Sequence, residues 1–206
     1  SVMLGSGGKL TADGGNFAGN ITGTGTSKLE VNDSGTGNAL TLSGTGNNFS
    51  TLDIQSGTVT LTGDLSDSTD MSLNNNSNFS LSNTSVGIDE LSSGSNTTTV
   101  NLGGGTTLTV GKGDANGAAT FAGQITGDGG LEIDSSNGYT QVIDNTANDY
   151  AGDTTITDGT LQTGADEVIT NTSAVTVNSD GTLDLNNNSE TVGSIAGGGN
   201  IDLGSG

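Results

Sequence analysis

The stretch MSLNNNSNFSLSNTSVGI, residues 71 to 88, decides the fold. It contains three triplets in which two apolar residues flank a small or polar one: MSL at 71–73, FSL at 79–81 and VGI at 86–88. Successive side chains of a β-strand point to opposite faces, so each triplet places both apolar side chains on one face. The linkers between the triplets are rich in Asn and Ser, which favour turns. This pattern predicts short strands joined by tight turns.

Triplets of this kind run along almost the whole chain, and neighbouring ones are often 7 to 12 residues apart. Helix is disfavoured because Gly, Asn, Ser and Thr lower helix propensity and no 3.6-residue period is present. Regular short strands also suit a β-sandwich, but the repeated phrases favour a coil of stacked strands. The remaining triplets are VML 2–4, LEV 29–31, LTL 40–42, LDI 52–54, VTL 59–61, VNL 100–102, LTV 108–110, LEI 131–133, VTV 175–177, LDL 183–185 and IDL 201–203.

Composition limits both the core and the partners. The 206 residues include 37 Gly and only 3% aromatic residues, so any core is thin. The chain contains 23 Asp and Glu residues but only three lysines, Lys9, Lys28 and Lys112, and its net charge is −20. Such a surface repels phosphate backbones and anionic headgroups, so we expect no nucleic-acid binding and no direct membrane insertion. The absence of Cys excludes a disulfide framework, and no apolar run reaches membrane-spanning length.

A longer repeat underlies the triplets. FAGNITG at 17–23 recurs as FAGQITG at 121–127, and Asn47-Asn48-Phe49 recurs as Asn148-Asp149-Tyr150. Leu4 and Leu102 lie 98 residues apart, and Leu102 and Leu203 lie 101 apart. We therefore predict one β-solenoid segment over 1–206, with diverged units at about 1–98 and 99–198 and the start of a third at 199–206. At roughly 20 to 25 residues per coil, the chain forms about nine coils.

The matching triplets VML, VNL and IDL lead to a further expectation. If the units are equivalent, residues 2–4, 100–102 and 201–203 should occupy the same face of the solenoid. Ile201 and Leu203 should point inward, and Asp202 outward.

The stretch NTANDYAGDTTITDGTLQ, residues 145 to 162, resembles the autotransporter-associated beta strand repeat, a phrase of Asn, an aromatic residue, Gly and Gly-Thr-Leu. A second stretch, NNFSTLDIQSGTV at 47–59, is similar but lacks the Gly after the aromatic residue. The resemblance implies a right-handed parallel β-helix, secreted across the outer membrane of a Gram-negative bacterium and displayed on the cell surface. The resemblance is also compatible with two kinds of binding partner: a host-surface or glycan receptor, and neighbouring repeats of the same chain or of identical chains.

The sequence presents no catalytic, cofactor-binding or metal-binding residues that we single out as a site. His and Cys are absent, so a Ser or Cys nucleophile lacks its common base. Carboxylate pairs are better explained as surface-solvating groups. GDGGLEID at 127–134 and GGGNID at 197–202 only partly match the tandem glycine-rich calcium nonapeptide. No cofactor is expected.

Two other patterns have ordinary explanations. The Thr-x-Thr steps at 58/60, 97/99, 107/109 and 155/157 are irregularly spaced, which argues against an ice-binding array. A stripe of aromatic residues for sugar binding is also possible from the sequence, but internal stacks are favoured because several positions recur between the units. The aromatic residues are Phe17, Phe49, Phe79, Phe121, Tyr139 and Tyr150.

The leading functional hypothesis is a non-enzymatic one: a segment of a surface-displayed β-helical passenger that acts as a structural stalk, an adhesin or a self-association surface. The alternative is a self-assembling extracellular filament whose subunits stack end to end, because the chain ends on a near copy of its beginning. The third hypothesis is that the chain is a solenoid enzyme that acts on polysaccharides.

Overall fold

The computed structural model describes residues 1–33, 35, 37–82 and 84–205. These residues contain no helix, and all their regular structure is β. The strands are β1 (Val2–Leu4), β2 (Lys9–Ala12), β3 (Gly15–Phe17), β4 (Ile21–Gly23), β5 (Lys28–Asn32), β6 (Ala39–Leu42), β7 (Thr51–Ser56), β8 (Thr58–Leu61), β9 (Asp70–Leu73), β10 (Asn78–Leu81), β11 (Val86–Ile88), β12 (Leu91–Ser92), β13 (Thr99–Leu102), β14 (Thr107–Val110), β15 (Ala118–Phe121), β16 (Gln124–Gly127), β17 (Gly130–Asp134), β18 (Thr140–Ile143), β19 (Thr154–Thr163), β20 (Ala174–Asp184), β21 (Ser194–Gly197) and β22 (Asn200–Asp202).

Every strand pair is parallel, and each strand pairs with the strand one turn later. Thr182 pairs with Asn200 and Gly15 pairs with Leu40, so the offset between paired strand residues varies from 18 to 25 residues. Stacking supplies the backbone N–H and C=O groups of each turn with partners in the next. The predicted parallel β-solenoid of about nine turns is confirmed.

Three sheet faces make up each turn, and the chain visits them in the order 1, 2, 3. Face 1 contains β1, β4, β11, β14, β17, the first parts of β19 and β20, and β21. Face 2 contains β2, β5, β7, β9, β12, β15, β18, the second parts of β19 and β20, and β22. Face 3 contains β3, β6, β8, β10, β13 and β16. Residues 148–151 continue face 3, because the N–H groups of Asp149 and Ala151 donate to the carbonyls of Ile125 and Gly127.

The core is one column of apolar side chains that runs through the turns. In β8, β10 and β14 the two apolar residues of each triplet are buried, and the residues between them are more exposed. Phe17, in the first turn, is only partly buried. The predicted internal position of several aromatic residues is confirmed for Phe49, Phe79, Phe121, Tyr139 and Tyr150, whose rings are fully buried.

Asparagine turns form corners of the solenoid, as their composition predicts. Asn75, Asn186 and Asn187 have positive φ angles of 50°, 46° and 66°. Asn tolerates this left-handed conformation better than most other residues with a side chain. The N–H of Asn74 also donates to the Ser77 hydroxyl at 3.1 Å, which closes the turn between β9 and β10.

Two strands near the C-terminal end are longer than the triplets predict. The sequence predicts separate strands at 175–177 and 183–185 with SDG as a turn, but β20 continues through SDG from face 1 to face 2. The preceding strand, β19, bends at the same place. TDGTL at 157–161 and SDGTL at 179–183 therefore lie one above the other, with Gly159 paired to Gly181 and Leu161 to Leu183.

The predicted common face for the three matching triplets is wrong. Residues 2–4 form β1 on face 1, residues 100–102 lie in β13 on face 3, and residues 201–202 lie in β22 on face 2. Ile201 does pair with the inward-facing Leu183, as expected for an inward position. Leu203 follows the end of β22 and is 66% exposed. Gly206, the last residue of the predicted third unit, lies outside the described residues.

The repeated phrases nevertheless make equivalent contacts. Ile21 donates its N–H to Asn47 Oδ1 at 2.9 Å, and Ile125 donates to Asn148 Oδ1 at 2.8 Å. The first pair lies on face 1 and the second on face 3. The hydroxyls of Thr69 and Thr170 likewise donate to the carbonyls of Phe49 and Tyr150, both at 2.8 Å.

These equivalent contacts lie on different faces because successive units are rotated relative to each other about the axis of the solenoid. The matching positions move from face 1 to face 3, and from face 3 to face 2, in each step of about 100 residues. One unit therefore spans about four and two-thirds turns, since strands of successive turns stack directly on one another. The phrases encode corners and braces between turns, and they do not encode a particular face. The unit boundaries near residue 98 and residue 198 stay a prediction.

Candidate functional surfaces

The acidic side chains are dispersed over the solenoid, with one cluster at a corner between faces 1 and 2. Burial, together with the charges of Glu90, Asp89 and Asp114, raises the pKa of Asp70 to about 6. Asp89 is buried, and its carboxylate accepts the N–H of Ala115 at 2.6 Å. Burial and the neighbouring Asp114 raise the pKa of Asp89 as well. The cluster fixes a loop, because the Asp89 carboxylate holds the N–H of Ala115.

A second perturbed carboxylate, Glu190, holds two turns together. It accepts the N–H of Val168 at 2.8 Å and that of Ile169 at 3.2 Å. Burial raises its pKa to about 7, although these two hydrogen bonds act in the opposite direction. The negative charges of Glu167 and Asp166 raise it further. Glu190 is thus a structural brace whose charge changes near neutral pH.

All three lysines are engaged with carboxylates. Lys9 Nζ contacts Glu30 at 2.8 Å, and Lys112 Nζ contacts Asp134 at 2.7 Å. Lys28 contacts Asp53, whose carboxylate is the main cause of a raised Lys28 pKa. Each of these pairs joins residues of neighbouring turns, so the pairs bridge turns on the outside of the rod.

The two tracts that invite comparison with calcium loops have ordinary structural roles. Residues 127–134 run from the end of β16 into β17, and residues 197–202 run from β21 into β22. The Glu132 carboxylate accepts the hydroxyls of Thr109 at 3.0 Å and Thr157 at 2.7 Å. Within the described ranges, no group of three or more acidic residues is arranged to hold a metal ion.

The Thr-x-Thr steps do not form one array. Thr58 and Thr60 lie in β8 on face 3, whereas Thr107 and Thr109 lie in β14 on face 1. Thr155 is also on face 1, and a register shift in β19 separates it from the next Thr. A regular hydroxyl lattice for ice would need these steps in one column, so the arrangement does not support that function.

One buried hydroxyl leads to a prediction about stability. Ser135 is 1% exposed, and its Oγ has no hydrogen-bond partner among the described residues. A buried polar group without a partner costs about 1–3 kcal/mol. We expect Ser135→Ala to raise the free energy of unfolding by about 1 kcal/mol, measured by urea denaturation. Ser77→Ala is the matched control, because Ser77 Oγ accepts the Asn74 N–H, and this change should destabilise; a loss of stability in Ser135→Ala would show that its hydroxyl is satisfied.

These features define the class of protein: an acidic parallel β-solenoid. The part of the chain that the structure describes holds no helix long and apolar enough to cross a bilayer. No family model matches the chain, and no solved structure matches it. An 80-residue stretch, 39% of the chain, is 38% identical to Escherichia coli (strain K12) "Uncharacterized protein YuaQ". The matched stretch spans 6% of that protein.

Proposed function

We propose that this chain is a segment of a surface-displayed β-helical passenger protein that acts as a stalk and as an adhesive or self-association surface. The observation that carries the proposal is the column of about nine hydrogen-bonded turns around one continuous core. At about 4.8 Å per turn, such a column forms a rod of roughly 45 Å. Its length grows by adding turns, which suits a protein that holds something away from a surface.

The nature of the exterior supports adhesion through broad contacts. The described surface carries hydroxyl, amide and carboxylate groups on successive turns, and every lysine is neutralised by a neighbouring carboxylate. Binding along such a rod relies on many weak polar contacts, in contrast to one enclosed pocket. The resemblance of residues 145–162 to autotransporter repeats supports export to the bacterial surface.

The adhesive role is tested in cells that display the full-length protein. Residues 1–206 are replaced by an unrelated parallel β-solenoid segment of nine turns, so that the rod length is preserved. We expect cell aggregation and adhesion to fall at least tenfold, because the specific surface is lost while the spacer remains. A replacement that exports normally and leaves both assays unchanged would contradict the adhesive role and leave the stalk role.

Exposed apolar residues in the last turn favour one alternative, an end-to-end filament. Ile195 and Ile201 are 50% and 49% exposed, and they pair with the buried Val175 and Leu183 of the preceding turn. A second copy stacked on the end would cover Ile195 and Ile201 and pair the edge of the last turn. Electron microscopy of the isolated segment tests this: filaments support stacking, and dispersed short rods overturn it.

A further inference from the structure

Face 3 contains the longest run of neighbouring uncharged strands in the solenoid. The protein has 26 ionisable Lys, Asp and Glu residues, counted as 3 lysines and 23 carboxylates. None of them lies in the six strands of face 3 from β3 to β16. These strands form one parallel sheet whose members pair without a register shift. The result is an uncharged sheet on a protein of net charge −20.

The outward side chains of this sheet form columns of hydroxyl and amide groups. One column runs along Thr41, Thr60, Ser80, Asn101 and Thr126, which pair in sequence across the strands. Asn101 and Thr126 are joined by a hydrogen bond of 3.0 Å. In the part of the chain that the structure describes, the hydroxyls of Thr41, Thr60 and Ser80 have no side-chain hydrogen-bond partner. Hydroxyl groups both donate and accept, so such columns can bond to groups of their own kind.

The other faces lack an uncharged sheet of this length. In the same turns, face 2 carries Lys9, Lys28, Glu30, Asp53 and Asp70. Contact between two copies there would bring charged groups of both signs together, and each pair of like charges would oppose it.

Face 1 carries carboxylates in the later turns, including Glu132, Asp134, Asp158 and Asp180. Residues 148–151, which continue face 3 beyond β16, include Asp149. The uncharged part of the surface therefore ends with β16.

We propose that face 3 between β3 and β16 is the surface through which two copies of this chain associate side by side. Both copies carry polar columns with the same strand spacing of about 4.8 Å, so donors and acceptors can meet in register over several turns. A two-fold contact of this kind uses the same patch on both copies. The inference deepens the proposed adhesive function and rests on it, while association of the isolated segment can be measured without display on a cell.

The area of the face predicts a weak contact. Six strands of about four residues cover about 350 Å² at strand and residue spacings of about 4.8 and 3.3 Å. A stable interface buries about 800 Å² per partner. Association of single segments should therefore require high concentration, and it should become effective when many copies are held close together.

The test is sedimentation equilibrium of the segment up to about 1 mM in 0.5 M salt, where repulsion between the acidic rods is screened. We expect wild-type protein to dimerise and Thr60→Asp/Asn101→Asp to dimerise at least tenfold more weakly. Thr140→Asp/Thr182→Asp is the matched control, because it adds the same charge on face 2 and should behave like wild type.

A charge-swap experiment separates loss of contact from loss of folding. Thr60→Lys/Asn101→Lys mixed with the Asp variant should associate more tightly than either variant alone, since opposite charges then face each other. A wild-type segment that stays monomeric at 1 mM overturns the inference, and so does equal weakening by the face 2 control. Either result would remove face 3 as a contact surface and leave the stalk role intact.

Discussion

Gly181→Ala should lower the free energy of unfolding by about 3 kcal/mol, one of the largest effects expected from a single methyl group in this protein. A Cβ atom at position 181 would lie 2.4 Å from the carbonyl oxygen of Ile156 and 3.0 Å from its carbonyl carbon. These atoms belong to the backbone of the neighbouring strand, so the clash is relieved only by moving β20 away from β19. That movement breaks hydrogen bonds at the place where TDGTL and SDGTL stack.

The matched control is Gly94→Ala. No heavy atom lies within 4 Å of a Cβ built at this position, and its φ angle is not in the left-handed region. Adding a methyl group there restricts the unfolded chain and should change stability by less than about 1 kcal/mol, with a small gain expected. Urea denaturation followed by circular dichroism measures both variants. Equal midpoints for the two would show that β19 and β20 do not pack as closely as described.

The second large effect is a dependence of stability on pH. Glu190 has a pKa of about 7 against an ordinary 4.5, and Asp70 has one of about 6 against 3.8. Burial, the main cause of both shifts, disfavours the ionised carboxylates in the folded state. Above pH 7 both groups are ionised and destabilise the fold, and this penalty disappears as Glu190 and then Asp70 take up protons. The free energy of unfolding should therefore rise as the pH falls from about 8 to 5.

Both side chains are partly exposed, so solvent screening reduces the gain to about 2–3 kcal/mol for the pair together. For a chain of this length, such a gain raises Tm by about 5–10 °C. Relief of general repulsion among the carboxylates acts in the same direction. The double variant Glu190→Gln/Asp70→Asn removes both titrating groups, so its Tm should change less between pH 8 and pH 5 than that of the wild type. A Tm that falls between pH 8 and 5 would contradict the assignment.

Local features of the fold could be predicted from the sequence. The triplets indicate which side chains face inward, since the two-residue period of a strand places them there regardless of the surroundings. The NNNS tracts mark tight corners, because Asn tolerates the left-handed backbone found at residues 75, 186 and 187. Leu81 and Leu102, for example, are buried and paired as their triplets predict.

The face that each strand occupies could not be predicted. Leu4 and Leu102 belong to similar phrases but lie on different faces, because turn length varies and all three faces use the same triplet. The uncharged sheet is hidden for the same reason: Thr41, Thr60 and Asn101 are about 20 to 40 residues apart in the chain, and only the stacking brings them into one column.

The corner at SDG, residues 179–181, is a second feature that could not be predicted from the sequence. Its residues favour a turn in isolation, yet pairing with β19 keeps them in a continuous strand. The pKa of Glu190 is equally invisible in the sequence, since it depends on burial against Val168 and Ile169 in the preceding turn.

The most direct test of the proposed function is the location of this segment on intact cells of the source organism. Antibodies raised against the folded segment would be applied to living cells, before and after an external protease, with a cytoplasmic protein as the control for lysis. A surface-displayed rod predicts strong labelling of intact cells, and loss of that labelling after the protease while the cytoplasmic protein stays whole. Labelling that appears only after the cells are permeabilised would contradict display at the surface and, with it, the stalk and adhesive roles.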